Sequence, residues 1–377
     1  MNIQPPLPKE YQNLPVEQAC RRVAQLKTAL GQDVRILAHH YQSDEVFQFA
    51  DFVGDSLKLS QQAAASSARF IVFCGVHFMA ESADILTSPQ QAVILPDISA
   101  GCAMAEMADA ADVEEAFEQV QSAAGEMVVP VTYVNSSAAT KAFTARAGGA
   151  CCTSSNARRV FEWALASKLQ GGAGGAKVFA IPDRHLGLNT AVAMGFGTED
   201  CLVYDPKLEG GGLEALATRR AKFILWKGQC YVHQRFTTDQ IERARSRQPG
   251  IRIIVHPECP RAVVAAADYS GSTEQIIQAV NAAPAGGAWA IGTETNMVRR
   301  LAANNPDKLV RTLADTPPFC RTMSRVDLPH LLWVLENLSA GKVVNQVRVE
   351  EKLSAQARLA LERMLAIPPQ GGISPSR

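Results

Sequence analysis

The sequence predicts an α/β protein made of three homologous three-layer αβα units with parallel sheets, in a pseudo-threefold arrangement. Two observations carry this. A strand, a polar cluster, a short helix, a hydroxyl-bearing turn and a second helix recur three times along the 377 residues. One cysteine then follows the third strand of every copy: Cys102, Cys230 and Cys320.

Residues 1–33 read as a proline-rich arm followed by a helix over Val16–Leu30, with Ala19, Val23, Leu26 and Leu30 on one face. The first copy occupies 34–105. Its opening strand Val34–Ala38 runs into His39, His40 and Tyr41, and Gly54-Asp55-Ser56 opens the next helix. A strand over Arg69–Cys74, a helix over Phe78–Thr87 and a strand over Ala92–Leu95 follow, and then Cys102.

The second copy spans 106–233. Val128–Thr132 leads to Tyr133 and Asn135, and Thr153-Ser154-Ser155-Asn156 opens a helix. Strands over Lys177–Ile181 and Lys222–Leu225 precede Cys230. In the third copy, 234–325, Ile251–Val255 ends in His256-Pro257-Glu258-Cys259-Pro260. Gly271-Ser272-Thr273-Glu274 has the spelling of a helix cap. Strands over Gly287–Ile291 and Lys308–Leu313 then lead to Cys320.

The spacing from polar cluster to cysteine is 63 residues in the first copy (102 − 39) and 64 in the third (320 − 256). It is 97 in the second (230 − 133), and the glycine runs Gly171–Gly175 and Gly210–Gly212 account for the excess as surface loops. A helix over Leu328–Leu338 and a strand over Lys342–Arg348 return the chain to the first copy, completing it at about 326–348. Residues 349–377 read as a helix over Glu350–Leu365 and a disordered tail from Pro368. Strands alternating with helices give parallel sheets covered on both faces, and ligands bind at the strands' carboxyl ends. Every polar cluster and cysteine named above falls at such an end.

Composition narrows the function. With 37 basic and 37 acidic residues, no electrostatic footprint for nucleic acid or an anionic membrane exists. No apolar run reaches the roughly 18 residues of a membrane helix, and the first residues lack a secretory apolar region, so a cytoplasmic protein is expected. Nine cysteines in that compartment argue for metal binding or catalysis rather than disulfides. Thiolates select zinc, Cu(I) or iron–sulfur clusters. His233, three residues after Cys230, could complete a zinc site, whereas three cysteines could hold a cluster with one iron open; spacing does not choose between them.

The motifs Ala38-His39-His40-Tyr41-Gln42, Gly54-Asp55-Ser56, Pro96–Cys102, Tyr133-Val-Asn-Ser136, Thr153–Asn156, Gly228–His233, His256–Pro260 and Gly271-Ser-Thr273 together resemble the quinolinate synthase family. The resemblance runs from about residue 30 to 345, in the family's order. It implies a triangular fold with the active site at its centre, and a [4Fe–4S] cluster on Cys102, Cys230 and Cys320. It also implies condensation of iminoaspartate with dihydroxyacetone phosphate to quinolinate, for NAD synthesis. An aspartate oxidase or dehydrogenase would supply the iminoaspartate. Some relatives place the third cysteine in a Cys-x-x-Cys-x-x-Cys run; here Met323 follows Cys320, so no redox disulfide is expected there.

By resemblance Glu258 is the general base, Tyr41 and His39 act on the sugar-derived carbons, and His256 and His233 orient carboxylate or hydroxyl groups. Substrates with two carboxylates and a phosphate need anion cradles, and His39, Ser56, Tyr133, Asn135, Ser154, His256, Glu258 and Thr273 are the candidate contacts. Ser56 and Ser154 could instead be simple helix caps. His40 is expected to face away from His39 and Tyr41, and His77, His185 and His330 to be ordinary histidines. Cys20, Cys74, Cys151, Cys152, Cys201 and Cys259 read as buried small hydrophobes. Two other functions fit the residues alone: a zinc-dependent lyase or aldolase on a phosphorylated sugar, and a non-enzymatic iron–sulfur sensor.

Overall fold

The computed structural model describes residues 3–167 and 176–375. The glycine run 171–175 lies outside them. The chain divides into two compact units, Met1–Cys102 with Phe319–Glu351, and Ala103–Pro318 with Lys352–Arg377.

The first unit holds one five-stranded sheet. Strands β1 (Val34–His39), β2 (Phe52–Gly54), β3 (Phe70–Cys74) and β4 (Ala92–Ile94) are parallel in the order β4-β3-β1-β2. Gln346–Val347 adds an antiparallel edge on Ile94 and Val93. Every residue of β3 is buried, as a sheet covered on both faces requires. The helix Val16–Leu30 buries Ala19 and Val23 and packs on Leu328–Ser339, where Tyr11 and Arg22 both bond Glu336.

The second unit holds two sheets. In one, β5 (Val128–Tyr133), β6 (Ala150–Cys152), β7 (Lys177–Ile181), β8 (Cys201–Tyr204) and β9 (Phe223–Trp226) run parallel in the order β6-β5-β7-β9-β8. In the other, β10 (Arg252–Val255), β11 (Tyr269–Ser270), β12 (Ala288–Gly292) and β13 (Leu309–Thr312) run parallel in the order β13-β12-β10-β11. The repeat is therefore real at the level of topology. In each sheet the first strand is central, the second lies to one side, and the third and fourth of the repeat lie to the other. The order reverses beside β1, β5 and β10, and that reversal opens a crevice at their carboxyl ends.

Two differences from the sequence expectation have local causes. The short strands β2, β6 and β11, and the edge strand β8, carry too few residues for a period-two pattern to register. The tail expected to be disordered is instead tied down over its described part. Ser374–Pro375 pairs antiparallel with Ser270 and Tyr269, Gln370 N–H donates to Ser155 O (2.9 Å), and Gln275 Nε2 donates to Gln370 O (2.9 Å). The open edge of β11 presents backbone groups that composition does not reveal. The run Gly210–Gly212 is a tight left-handed turn, and a Cβ on Gly211 would lie 2.1 Å from the Tyr204 ring.

Candidate active site

In the first unit, β1 delivers His39 and His40, both buried, and then Tyr41. His39 Nδ1 accepts the N–H of Tyr41 (3.2 Å), and the two rings meet edge-on at 4.6 Å. The His40 ring lies 6.3 Å from that of His39 and 6.2 Å from that of Phe47. The loop after β4 carries Cys102, half-buried; there Ala100 N–H donates to Asp97 O and Ala100 O accepts from His77 N–H. Cys320 groups with this unit rather than with β13, the strand it follows. Gln42 Nε2 holds Met323 O there at 3.1 Å, and Cys320 Sγ lies 3.5 Å from Thr322 Oγ1.

The second unit assembles a buried acid–base cluster at the ends of β5, β9 and β10. Tyr133 OH donates to Glu258 Oε1 (2.6 Å), and His233 Nδ1 bonds Glu258 Oε2 (2.7 Å). His233 Nε2 reaches Thr293 Oγ1 (3.2 Å), and the His256 ring stacks on His233 at 4.5 Å and 15°. Glu258 N–H donates to His256 Nδ1 (3.3 Å), the same two-residue turn that Tyr41 makes on His39. Glu258, His233 and His256 are each no more than 3% exposed. Burial alone would raise the Glu258 carboxyl, but His233, His256 and the Tyr133 hydroxyl outweigh it and hold the group down at about 2. Burial, with His233 alongside, lowers His256 to about 3, leaving that ring neutral. Asn135 Oδ1, beyond the same end of β5, is buried with no hydrogen-bond partner.

Cys230 stands beside this cluster. Its Sγ, a His233 ring nitrogen and a Glu258 oxygen all lie within 4.8 Å of one another. Its loop is fixed by Asp183, which sequence reasoning missed. Asp183 caps the helix Arg184–Ala193 by accepting from His185 and Leu186 N–H (2.8 Å each), and its Oδ2 accepts Cys230 N–H at 3.2 Å. Burial and the neighbouring Glu258 charge push the Asp183 carboxyl well above its usual range. Gly228 lets the two loops touch, since a Cβ there would sit 2.3 Å from Pro182 O. One sign of Asp183 was present in the sequence, an acidic residue between a strand and a helical run.

The three turn hydroxyls are not the caps. Asp55 caps the helix beginning at Ser56, and Ser272 with Gln275 forms a capping box before Thr273. Ser154 precedes Asn156, whose Oδ1 accepts Thr153 N–H (2.8 Å). Ser154 lines a cleft of about 480 Å³ with Arg158, Arg261, Ser270 and the tail.

Among the other cysteines, Cys74, Cys151, Cys152 and Cys259 are buried, and burial raises each thiol, Cys151 to about 12. Cys20 and Cys201 differ from expectation in being only half-buried, one on a surface helix and the other on edge strand β8. His330 bonds Asp327 (2.7 Å) and His77 lies 3.9 Å from Glu81. His185 is not ordinary: its Nδ1 is buried without a partner.

A family model described as Quinolinate synthetase A protein matches residues 21–366. The chain is 54% identical over 350 residues to a quinolinate synthase of Nocardioides sp., covering 92% of this chain and 89% of that one. It is 55% identical to the quinolinate synthase of Streptomyces coelicolor (92% and 88% covered), and 50% identical to that of Acidobacterium capsulatum (95% of each).

Proposed function

The chain belongs to the quinolinate synthetase A family and is an enzyme with quinolinate synthase function in NAD biosynthesis, and from that premise we propose that it condenses iminoaspartate with dihydroxyacetone phosphate, releasing phosphate and water. The observation that carries this reading is the buried Glu258 carboxylate, gripped by Tyr133 and His233 beside Cys230.

Glu258 and His233 share one short hydrogen bond, so they move a proton as a pair. Glu258 takes the proton from a substrate carbon or nitrogen, and Tyr133 returns one to a departing oxygen. Neutral His256 donates a hydrogen bond through Nε2, because its Nδ1 already accepts from Glu258 N–H. Asn135 Oδ1 accepts from a substrate N–H or hydroxyl, which would satisfy its orphaned acceptor. His39 and Tyr41 act on the sugar-derived carbons, and Ser56, Ser154 and Thr273 bind carboxylate or phosphate oxygens.

We assign a [4Fe–4S] cluster to Cys102, Cys230 and Cys320. The donor set fits: these three are half-buried in loops that follow sheet strands, whereas Cys74, Cys151, Cys152 and Cys259 are buried with raised thiols, unsuited to thiolate ligation. When bound, such a cluster supplies one iron without a protein ligand, a Lewis acid for a substrate hydroxyl or carboxylate. A divalent ion on Cys230, His233 and Glu258 is the second reading, favoured by their spacing. It would break the His233–Glu258 hydrogen bond, which argues against it. No helix among the described residues is long and apolar enough to cross a membrane; we place the enzyme in the cytoplasm, supplied with iminoaspartate by an aspartate oxidase or dehydrogenase.

Anaerobic purification tests both points. A brown protein with about four irons and matching sulfide, forming quinolinate from the two substrates, is expected. Stoichiometric zinc in a colourless protein, or no quinolinate from iron-loaded protein, would remove the assignment.

A further inference from the structure

His185 lies on the first turn of the helix Arg184–Ala193, directly after the Asp183 cap. One turn on, Asn189 Nδ2 donates to Pro257 O (2.8 Å) and to Cys259 O (2.9 Å), the carbonyls flanking Glu258. Residues four apart share a helix face, so His185 stands over the same loop, nearer the strand ends. The Glu258 carboxylate acts electrostatically on its ring.

The hydrogen bonding fixes the tautomer. Arg184 Nε points at His185 Nε2 at 3.2 Å, and a guanidinium can only donate. Nε2 must therefore accept, which places the proton on Nδ1 and leaves the ring uncharged. Burial and the Arg184 charge agree, lowering the ring to about 4 despite Glu258. Arg184 is itself anchored, donating through Nη2 to Gln229 Oε1 (2.7 Å) and through its backbone N–H to Gly228 O (3.0 Å). The result is a rigid ring whose buried Nδ1–H has no acceptor. A buried donor without a protein partner is costly, and at a functional site it is available to a ligand oxygen.

We infer that His185 is a substrate-binding residue, its Nδ1–H donating to a carboxylate or carbonyl oxygen of the ligand bound beside Glu258. This rests on the quinolinate synthase reading of that site. The donor is neutral, so it recognises an oxygen without adding charge to a pocket that holds an ionised Glu258. A cationic ring there would instead attract the Glu258 carboxylate itself.

Three variants of the iron-loaded enzyme test it by titration with quinolinate and by separate kcat and KM measurements. Asn places an amide N–H₂ where Nδ1 was, Gln places one where Nε2 was, and Leu offers none. His185→Asn is expected to stay within about twofold of wild type, while His185→Gln and His185→Leu bind quinolinate about tenfold more weakly or worse, with KM raised more than kcat falls. Wild-type affinity in His185→Leu, or equal weakening in Asn and Leu, would overturn the assignment; a ring needed only for packing gives that second pattern. If the wild type neither binds nor forms quinolinate, the underlying reading fails, and this inference with it.

Discussion

Cys230 donates its backbone N–H to Oδ2 of Asp183 across 3.2 Å, while the same carboxyl caps the helix Arg184–Ala193. One buried side chain thus ties the position of a proposed metal ligand to the start of a helix. Asp183→Ala should cost about 1–2 kcal/mol for the cap and, in addition, lower iron retention after gel filtration. Asp183→Asn, which still offers a carbonyl oxygen, should keep more iron than Asp183→Ala. Equal iron in both variants and wild type would dissociate the cap from the ligand loop.

The cysteines divide sharply. Cys102→Ala, Cys230→Ala and Cys320→Ala should each abolish the visible spectrum and most of the iron. Cys151→Ala, Cys152→Ala and Cys259→Ala, at buried positions, should retain both. A normal spectrum in any of the first three removes that residue from the ligand set.

Glu258→Gln should lower turnover by at least about a hundredfold with quinolinate binding nearly intact. The amide can still accept from Tyr133, but it presents N–H₂ to His233 Nδ1 and forces the other tautomer on that ring. Turnover at the wild-type level would exclude Glu258 as the base.

Much of this was legible beforehand. His39, Tyr133, His256 and Glu258 ended β-branched runs at equivalent places, and such ends bind ligands whatever the detailed packing. Asp183 and His185 were not legible, because an acidic residue before a helical run reads only as a cap, a place that Glu294 fills in the third copy, and their links to Cys230 and Glu258 are not local in sequence. The contact between Asp183 and Cys230 joins loops 47 residues apart, which no local pattern registers. The sequence alone leaves Ser56 and Ser154 open to a capping role, whereas the structure places the cap at Asp55 and the N-cap position at Asn156.

That separation of caps from neighbours is itself testable. Asp55→Ala and Ser272→Ala should each lose about 1 kcal/mol of stability. Ser56→Ala, Ser154→Ala and Thr273→Ala should leave the melting temperature nearly unchanged and weaken quinolinate or dicarboxylate binding roughly 10- to 150-fold each. Calorimetric titration of the five variants decides it, and unchanged affinity in all three hydroxyl variants would exclude them as anion contacts.

Acid stability should carry the mark of His256. Its ring is held at about 3, against an ordinary value near 6.5, so between those values the unfolded chain binds a proton that the folded one does not. Stability from this residue is complete above about pH 6.5 and is lost as pH falls toward 3. Glu258, held at about 2, adds loss of the same sign below its ordinary value of 4.5. His256→Asn should reduce the slope of unfolding free energy against pH by about 1.4 kcal/mol per unit between pH 4 and 6. Urea titrations of the metal-free protein across that range measure it, and parallel curves would contradict the neutral ring.

The antiparallel edge that Gln346–Val347 places on β4 has a consequence for how the chain is made. Ile94 leaves the ribosome 252 residues before Gln346, its partner in the sheet (346 − 94). At about 5–20 residues per second, the edge of β4 waits roughly 10–50 s for its cover. Nascent chains must pass that interval with the outer edge of β4 uncovered, while its other edge can already pair with β3, and an open edge is a target for holding chaperones and for aggregation when translation stalls. The loop bearing Cys320 emerges late in the same interval, so the proposed set of three cysteine ligands is complete only toward the end of synthesis.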